Sequence, residues 1–443
     1  MIPKQRLRLF LLAWLLLFLG GCANAQVRSL TILHVNDLHA HLLPDANQRG
    51  GFAQLAAVLR QQTAGCASCL ILNGGDLVQG TPVSTIFQGL PIFELANLLQ
   101  FDASVIGNHE FDYGWEKIPE FMEASEFPDL AANIVDDQGR LLAERPYLIL
   151  PVNGIRVAVV GALTANLPHL ITSDSQGPWR VLPVVETVRR YAQEIIGQSD
   201  LIVVLGHLEE DEEEALLREV PEIAVVISGH RHAGLEDARK VDGRVMVRVK
   251  AYGEEVGRLD LEVDVPKKAV VSSSWRTIPI FPGAIPPAED VGRAVAVWED
   301  KVSAIVDVPI ATAKRALYER AELQPLLERA MAEEVGTDLA FVNIGGIRDF
   351  LPEGTILARH IWNIMPFDNK VVIGRFRGNQ LPPAITSRYA VEPDREYSLA
   401  TFDFVATNQR AELGVSGLQF PTLTDHLARD LFIEWFKKQK VIE

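Results

Sequence analysis

The sequence predicts an α/β fold with a largely covered sheet, followed by a smaller α+β domain. Three observations carry that reading. From about residue 28 to 265, short runs rich in Val, Ile and Leu alternate with amphipathic stretches, as buried strands alternate with helices. Four prolines between Pro279 and Pro287 then mark a boundary. Beyond residue 307 helical and strand-like stretches mix again.

In chain order, Lys4, Arg6 and Arg8 form a basic start, and Leu9 to Leu19 is almost wholly apolar. That run is short for a bilayer span and suits a secretory signal. It ends in Leu19-Gly20-Gly21-Cys22, which resembles the cleavage box of bacterial lipoproteins. The expectation is therefore a lipoprotein signal peptide over 1–21 and membrane attachment through lipidated Cys22. Leu30–Val35, Leu70–Leu72, Ala103–Ile106, Val157–Val160, Leu201–Leu205 and Ala224–Ile227 read as buried strands. Phe52–Gln61 and Val185–Ile196 read as helices between them. Val245–Val265 reads as antiparallel strands closing the first domain. Ala288–Val306 has helical periodicity. The expected units are 28–270, a linker with a connecting helix over 279–306, and a second domain over 307–443.

Composition bounds the function. The 443 residues are 48% hydrophobic and 7% aromatic, an ordinary globular balance. A net charge of −16 argues against a nucleic-acid partner, since phosphate backbones require a basic surface. With Cys22 taken by lipid, Cys66 and Cys69 remain, spaced C-x-x-C. A local disulfide in an exported compartment is open to them. A zinc knuckle would need two further ligands nearby, and none is there.

In open α/β sheets, ligands sit beyond the carboxyl ends of the strands. The chain places Asn36-Asp37-Leu38-His39 after the first strand and Asn73-Gly74-Gly75-Asp76 after the second. Gly107-Asn108-His109-Glu110-Phe111-Asp112 follows the third. Gly206-His207 and Gly229-His230-Arg231-His232 close two later ones. His34, His41, His169, His360 and His426 lack such company and read as packing or surface residues. Carboxylate, imidazole and amide oxygen together suit Zn²⁺, Mn²⁺ or similar ions. Asp37, His39, Asp76, Asn108, His207, His230 and His232 exceed the needs of one tetrahedral ion, so two divalent metal ions about 4 Å apart are expected. The acidic run Glu209–Glu214 reads as a helix's first turn, where carboxylates suit the dipole.

These ordered motifs resemble the calcineurin-like metallophosphoesterases. The longer string Gly107-Asn108-His109-Glu110-Phe111-Asp112-Tyr113-Gly114 is similar to the 5'-nucleotidase family. The resemblance implies a layered α/β/β/α sandwich and a smaller α+β substrate-binding domain. It implies one ion on Asp37, His39, Asp76 and His232 and another on Asp76, Asn108, His207 and His230. His109, oriented by Asp112, would protonate the leaving group while a metal-activated water attacks phosphorus. Glu110 is expected to face outward or cap the next helix.

Asn343-Ile344-Gly345-Gly346-Ile347-Arg348 and Pro366-Phe367-Asp368-Asn369 resemble the family's substrate-binding segments. Arg348 would meet phosphate, Asn343 the base, and Phe367 and Phe404 would stack on it. One departure stands out. Where the family has a Gly-Gly-Asp-Gly loop whose aspartate grips the ribose, this chain reads Asn408-Gln409-Arg410-Ala411, with Arg410 at or near that aspartate. Poor discrimination between ribo- and deoxyribonucleotides is therefore expected. The resulting expectation is an exported phosphohydrolase, most simply a 5'-nucleotidase facing the periplasm or cell exterior. Its alternatives are a hydrolase of another ester (a UDP-sugar, cyclic nucleotide, sugar phosphate or sulfur ester) or a lipid-anchored binding protein without turnover.

Overall fold

The computed structural model describes residues 26–443 except 46, 282 and 284. The expected signal segment 1–21 and Cys22 lie outside the described residues. Two six-stranded sheets face each other in the first domain. One runs in the order Ala269–Pro279, Glu255–Asp264, Val27–Val35, Cys69–Asn73, Ala103–Val105 and Asp129–Leu130. The other runs Arg239–Val241, Arg244–Val247, Val225–Gly229, Leu201–His207, Ile155–Leu163 and Tyr147–Val152. The central strands of each pair in parallel, so their strand ends and the loops leaving them gather on one edge.

Side-chain alternation builds the layers. Leu30, Ile32, Leu70, Leu72 and Val105 point one way and meet Val157, Val159, Val203, Leu205 and Val225 of the facing sheet. Leu33 and Val35, on the opposite face of the same strand, bury against helices Phe52–Thr63, Leu90–Ala96 and Glu289–Val306. Ala158, Val160, Ile202 and Val204 do the same for helices Val184–Ile195 and Glu210–Glu219. A period of two with both faces apolar gives near-continuous hydrophobic strands. The result is the α/β/β/α sandwich.

Two expectations need correction. The stretch Val245–Val265 is not one antiparallel run. Arg244–Val247 lies parallel to Val225–Gly229 in one sheet, whereas Glu255–Asp264 lies antiparallel to Val27–Val35 in the other. Between them the chain crosses the sandwich edge, where Tyr252 N–H donates to Asp37 O at 2.8 Å. Helix Glu289–Val306 is more than a connector: Val291, Val295, Val302 and Val306 are buried in the first domain's core. Cys66 and Cys69 form a disulfide at the entrance to strand Cys69–Asn73.

The second domain packs helices Arg320–Val335 and Ala428–Gln439 with a four-stranded sheet, in the order Leu339–Ala340, Glu396–Phe402, Lys370–Arg377 and Thr422–Leu427. It docks on the first. Thr85 Oγ1 donates to Pro366 O at 3.2 Å, and Arg359 ties Glu299 and Asp307 of the linking helix and its end. Phe367 is thereby held with its ring 6.0 Å from that of His109. Among the described residues no helix is long and apolar enough to cross a membrane.

Candidate metal centre and substrate pocket

The turns that leave the strands are bent hard. Asp37, His39, Asp76, His230 and His232 all have positive φ, between 45° and 79°. Left-handed backbone at a residue other than glycine costs about 1–3 kcal/mol and persists only where its surroundings demand it. Here it turns five side chains back over the sheet edge. Gly107 serves the same end by close approach, since a Cβ there would collide with the Asp76 carboxylate.

Asp76 is the hub. Its Oδ1 accepts from His109 N–H at 2.9 Å. Its Oδ2 lies 3.0 Å from His207 Nε2, 3.8 Å from His39 Nε2 and 4.0 Å from His109 Nε2. Donor atoms of Asp37, His39, Asp76 and His232 lie within 4.8 Å of one another, as do those of Asp76, His207 and His230. Asn108 joins the second group through Oδ1, 3.1 Å from His207 Nε2. All seven residues expected from the sequence as ligands are thus brought together.

The donor set fits divalent ions. His39 Nε2 and His232 Nε2 stand 2.9 Å apart. Burial lowers both pKa values, helped at His39 by His232 and at His232 by Arg348. With both rings neutral, these two nitrogens are placed to turn lone pairs toward one cation. His207 donates from Nδ1 to Gly74 O at 2.8 Å, leaving Nε2 toward Asp76 and Asn108. Burial alone would lower His207, yet Asp76 and Asp37 outweigh it and push it up to about 10. That shift shows how much negative charge the cluster concentrates.

Beside the cluster, His109 Nδ1 pairs with Asp112 Oδ2 at 2.7 Å. Burial lowers His109, but Asp112 and then Asp76 more than reverse this, so the ring's pKa is raised. Both residues line a cavity of about 410 Å³ between the two domains, with Asp76, Asn108, His230 and His232 on one wall. Asn343, Arg348, Phe367 and Phe404 line the same cavity. Arg348 stands 5.8 Å from the Phe367 ring centroid, and one of its terminal nitrogens, Nη2, is buried without a partner, as is Asn343 Oδ1.

Sequence reasoning misplaced or missed several groups. Glu110 does not face outward. It is buried, and its carboxylate accepts N–H bonds from Gly107 at 2.7 Å, Leu77 at 2.8 Å and Asp76 at 3.2 Å. Burial and then Asp76 push it up to about 7. It clamps two strand-end loops together. Arg410 is exposed, while Glu412, two residues on, lines the cavity. His169 is exposed, as the packing-or-surface reading allows, and it borders the cavity on the first domain's side with Thr172 and Ser175. Glu209 bonds His230 as well as opening its helix.

The calcineurin-like phosphoesterase family matches residues 30–234, and the 5'-nucleotidase C-terminal domain matches residues 304–425. The chain is 26% identical to a 5'-nucleotidase of Vibrio cholerae, covering 82% of this chain and 77% of that one. It is 25% identical to the endonuclease YhcR of Bacillus subtilis over 85% of this chain, and spans only 34% of that relative's length. A 5'-nucleotidase precursor of Thermus thermophilus superposes with a TM-score of 0.83 at 23% identity, covering 94% and 97% of the two chains. That last likeness is one of fold.

Proposed function

We propose, from the premise that the chain belongs to the 5'-nucleotidase family of metal-dependent phosphoric ester hydrolases, that it hydrolyses nucleotide phosphate esters and needs two divalent ions. The observation that carries this reading is Asp76, whose carboxylate belongs to both donor groups and faces the cavity that Arg348 and Phe367 also line. One ion would be held by Asp37, His39, Asp76 and His232, the other by Asp76, Asn108, His207 and His230. What such ions supply, when bound, is charge against the phosphoryl oxygens and a lowered pKa for water.

The chain's own residues do the rest. Arg348 presents a planar fork to phosphate oxygens, and its buried, unpartnered Nη2 marks a donor waiting for an acceptor. His109 donates Nδ1–H to the Asp112 carboxylate, and that carboxylate with Asp76 favours the doubly protonated ring, whose second proton, at Nε2, goes to the leaving oxygen and leaves a neutral imidazole. Phe367 and Phe404 take the base by stacking, worth about 1–3 kcal/mol per base. Asn343 Oδ1 accepts from the ligand. Glu412 offers the acceptor that Arg410 would have denied the sugar.

A panel of phosphate esters after Mn²⁺ or Zn²⁺ reconstitution tests the substrate. AMP should have a higher kcat/KM than a sugar phosphate, and also than dAMP, because Glu412 gains one charged hydrogen bond of about 1.5–3 kcal/mol. A sugar phosphate turned over fastest, with Phe367→Ala changing nothing, would overturn the nucleotide reading. The basic start, the apolar run and Cys22 support export with lipid attachment as part of the same proposal. A Cys22→Ser chain that still matures and partitions with membranes would refute it.

A further inference from the structure

Glu209 is the N-cap of helix Glu210–Glu219, and its backbone N–H donates to Glu212 Oε2 at 3.0 Å. A cap needs no further partners, yet this side chain has three. Its Oε1 accepts from His230 Nε2 at 3.1 Å and from Asn166 Nδ2 at 3.2 Å. Its Oε2 accepts from Arg231 Nη1 at 3.0 Å. The Arg231 pair is half exposed and contributes little by itself. The His230 contact is different, because that ring belongs to the donor group of Asp76 and His207.

A neutral imidazole has one N–H and one lone pair, and whichever nitrogen donates leaves the other as ligand. With Nε2–H given to Glu209, the lone pair of His230 is on Nδ1. The backbone of His230 is already constrained, with φ at 79° and its N–H given to Asp37. Ring rotation and tautomer are the freedoms left, and one hydrogen bond to a fixed carboxylate removes both.

We propose that Glu209 is a positioning residue for the second ion: it holds His230 in the tautomer and orientation that leave Nδ1 to ligate, its own carboxylate being held by its place at the helix start and by Asn166. The inference rests on the two-ion reading above. Outer partners of ligating histidines typically contribute 10–100-fold in metal affinity.

The test is calorimetric titration of the chelator-stripped full chain with Mn²⁺, which reads the ions without any substrate. Wild type should take up two. Glu209→Asp keeps the charge and a favourable N-cap residue but is one methylene too short for His230, and should weaken one of the two ions about 10–100-fold. Glu209→Gln keeps the length and an acceptor oxygen, and should stay within a few-fold of wild type. Melting curves in chelator should coincide for all three chains, and a large drop confined to the Asp variant would assign its defect to the fold and overturn the proposal. So would an Asp variant that binds both ions as wild type does. A Gln variant as weak as the Asp variant would mean that the charge itself matters and not the positioning. Wild type binding one ion would overturn this role and the two-ion reading together.

Discussion

The two ends of the interdomain cavity are built in opposite ways. At the metal end, five residues sit in left-handed backbone, His39 meets His232, and Asp76 meets both His207 and the His109 N–H. At the substrate end, Arg348 Nη2 and Asn343 Oδ1 are buried with no partner, and Phe367 and Phe404 border open space. The first domain invests backbone strain to hold charges together before any ligand arrives. The second leaves donors and acceptors unsatisfied, to be completed by one. The contrast teaches where mutations should act on assembly and where on affinity.

The largest effect should come from breaking the metal end at its shared group. Asp76→Asn removes one charge from both donor groups, so both ions should be lost and turnover should fall below detection. Elemental analysis and a rate assay check this together. Two ions retained by an active Asp76→Asn chain would separate the groups that we join.

His109 stands at the junction of the two ends. His109→Ala should keep the metals and lose about 10²–10⁴-fold in rate, the usual contribution of a positioned proton donor. With p-nitrophenyl phosphate, whose leaving group needs little protonation, the loss should shrink. An equal loss on both esters would place His109 in binding instead.

The metal end was more legible than the substrate end, for a physical reason. Metal ligands stand at strand ends, so a reader who finds the strands by their apolar runs finds Asp37, Asp76, His207 and His230 beside them. Glu110 escaped because two of its three partners, the N–H groups of Asp76 and Leu77, arrive from another loop, and only Gly107 lies in its own. The same is true of Glu209 and His230. At 410 and 412 the difficulty is phase. Gln409–Leu413 is a short helix, and two residues on a helix differ by about 200°, so a motif offset of two exchanges the wall of the cavity for solvent. The split of 245–265 between sheets was hidden because each half alternates as a strand should.

The smallest effect sharpens the comparison by removing a buried carboxylate that serves neither end. Asp129 is buried at the edge of the first sheet, with a 3.2 Å bond from Ser125 Oγ, and burial pushes it up to about 7. Unfolded, it would titrate near ~3.9. A folded pKa above the unfolded one means stability that is complete below about pH 4 and declines as pH rises through 7. Asp129→Asn should therefore melt higher than wild type at pH 8, with the gap closing toward pH 4 and activity unchanged. A gap that is constant with pH would show that Asp129 ionises freely in the folded chain.

The central claim, that one carboxylate joins two ions, is open to direct observation. Anomalous diffraction from crystals soaked in Mn²⁺ should give two peaks about 3.5–4 Å apart, with Asp76 touching both, Asp37, His39 and His232 around one, and Asn108, His207 and His230 around the other. A single peak, or two peaks of which only one contacts Asp76, would contradict the account.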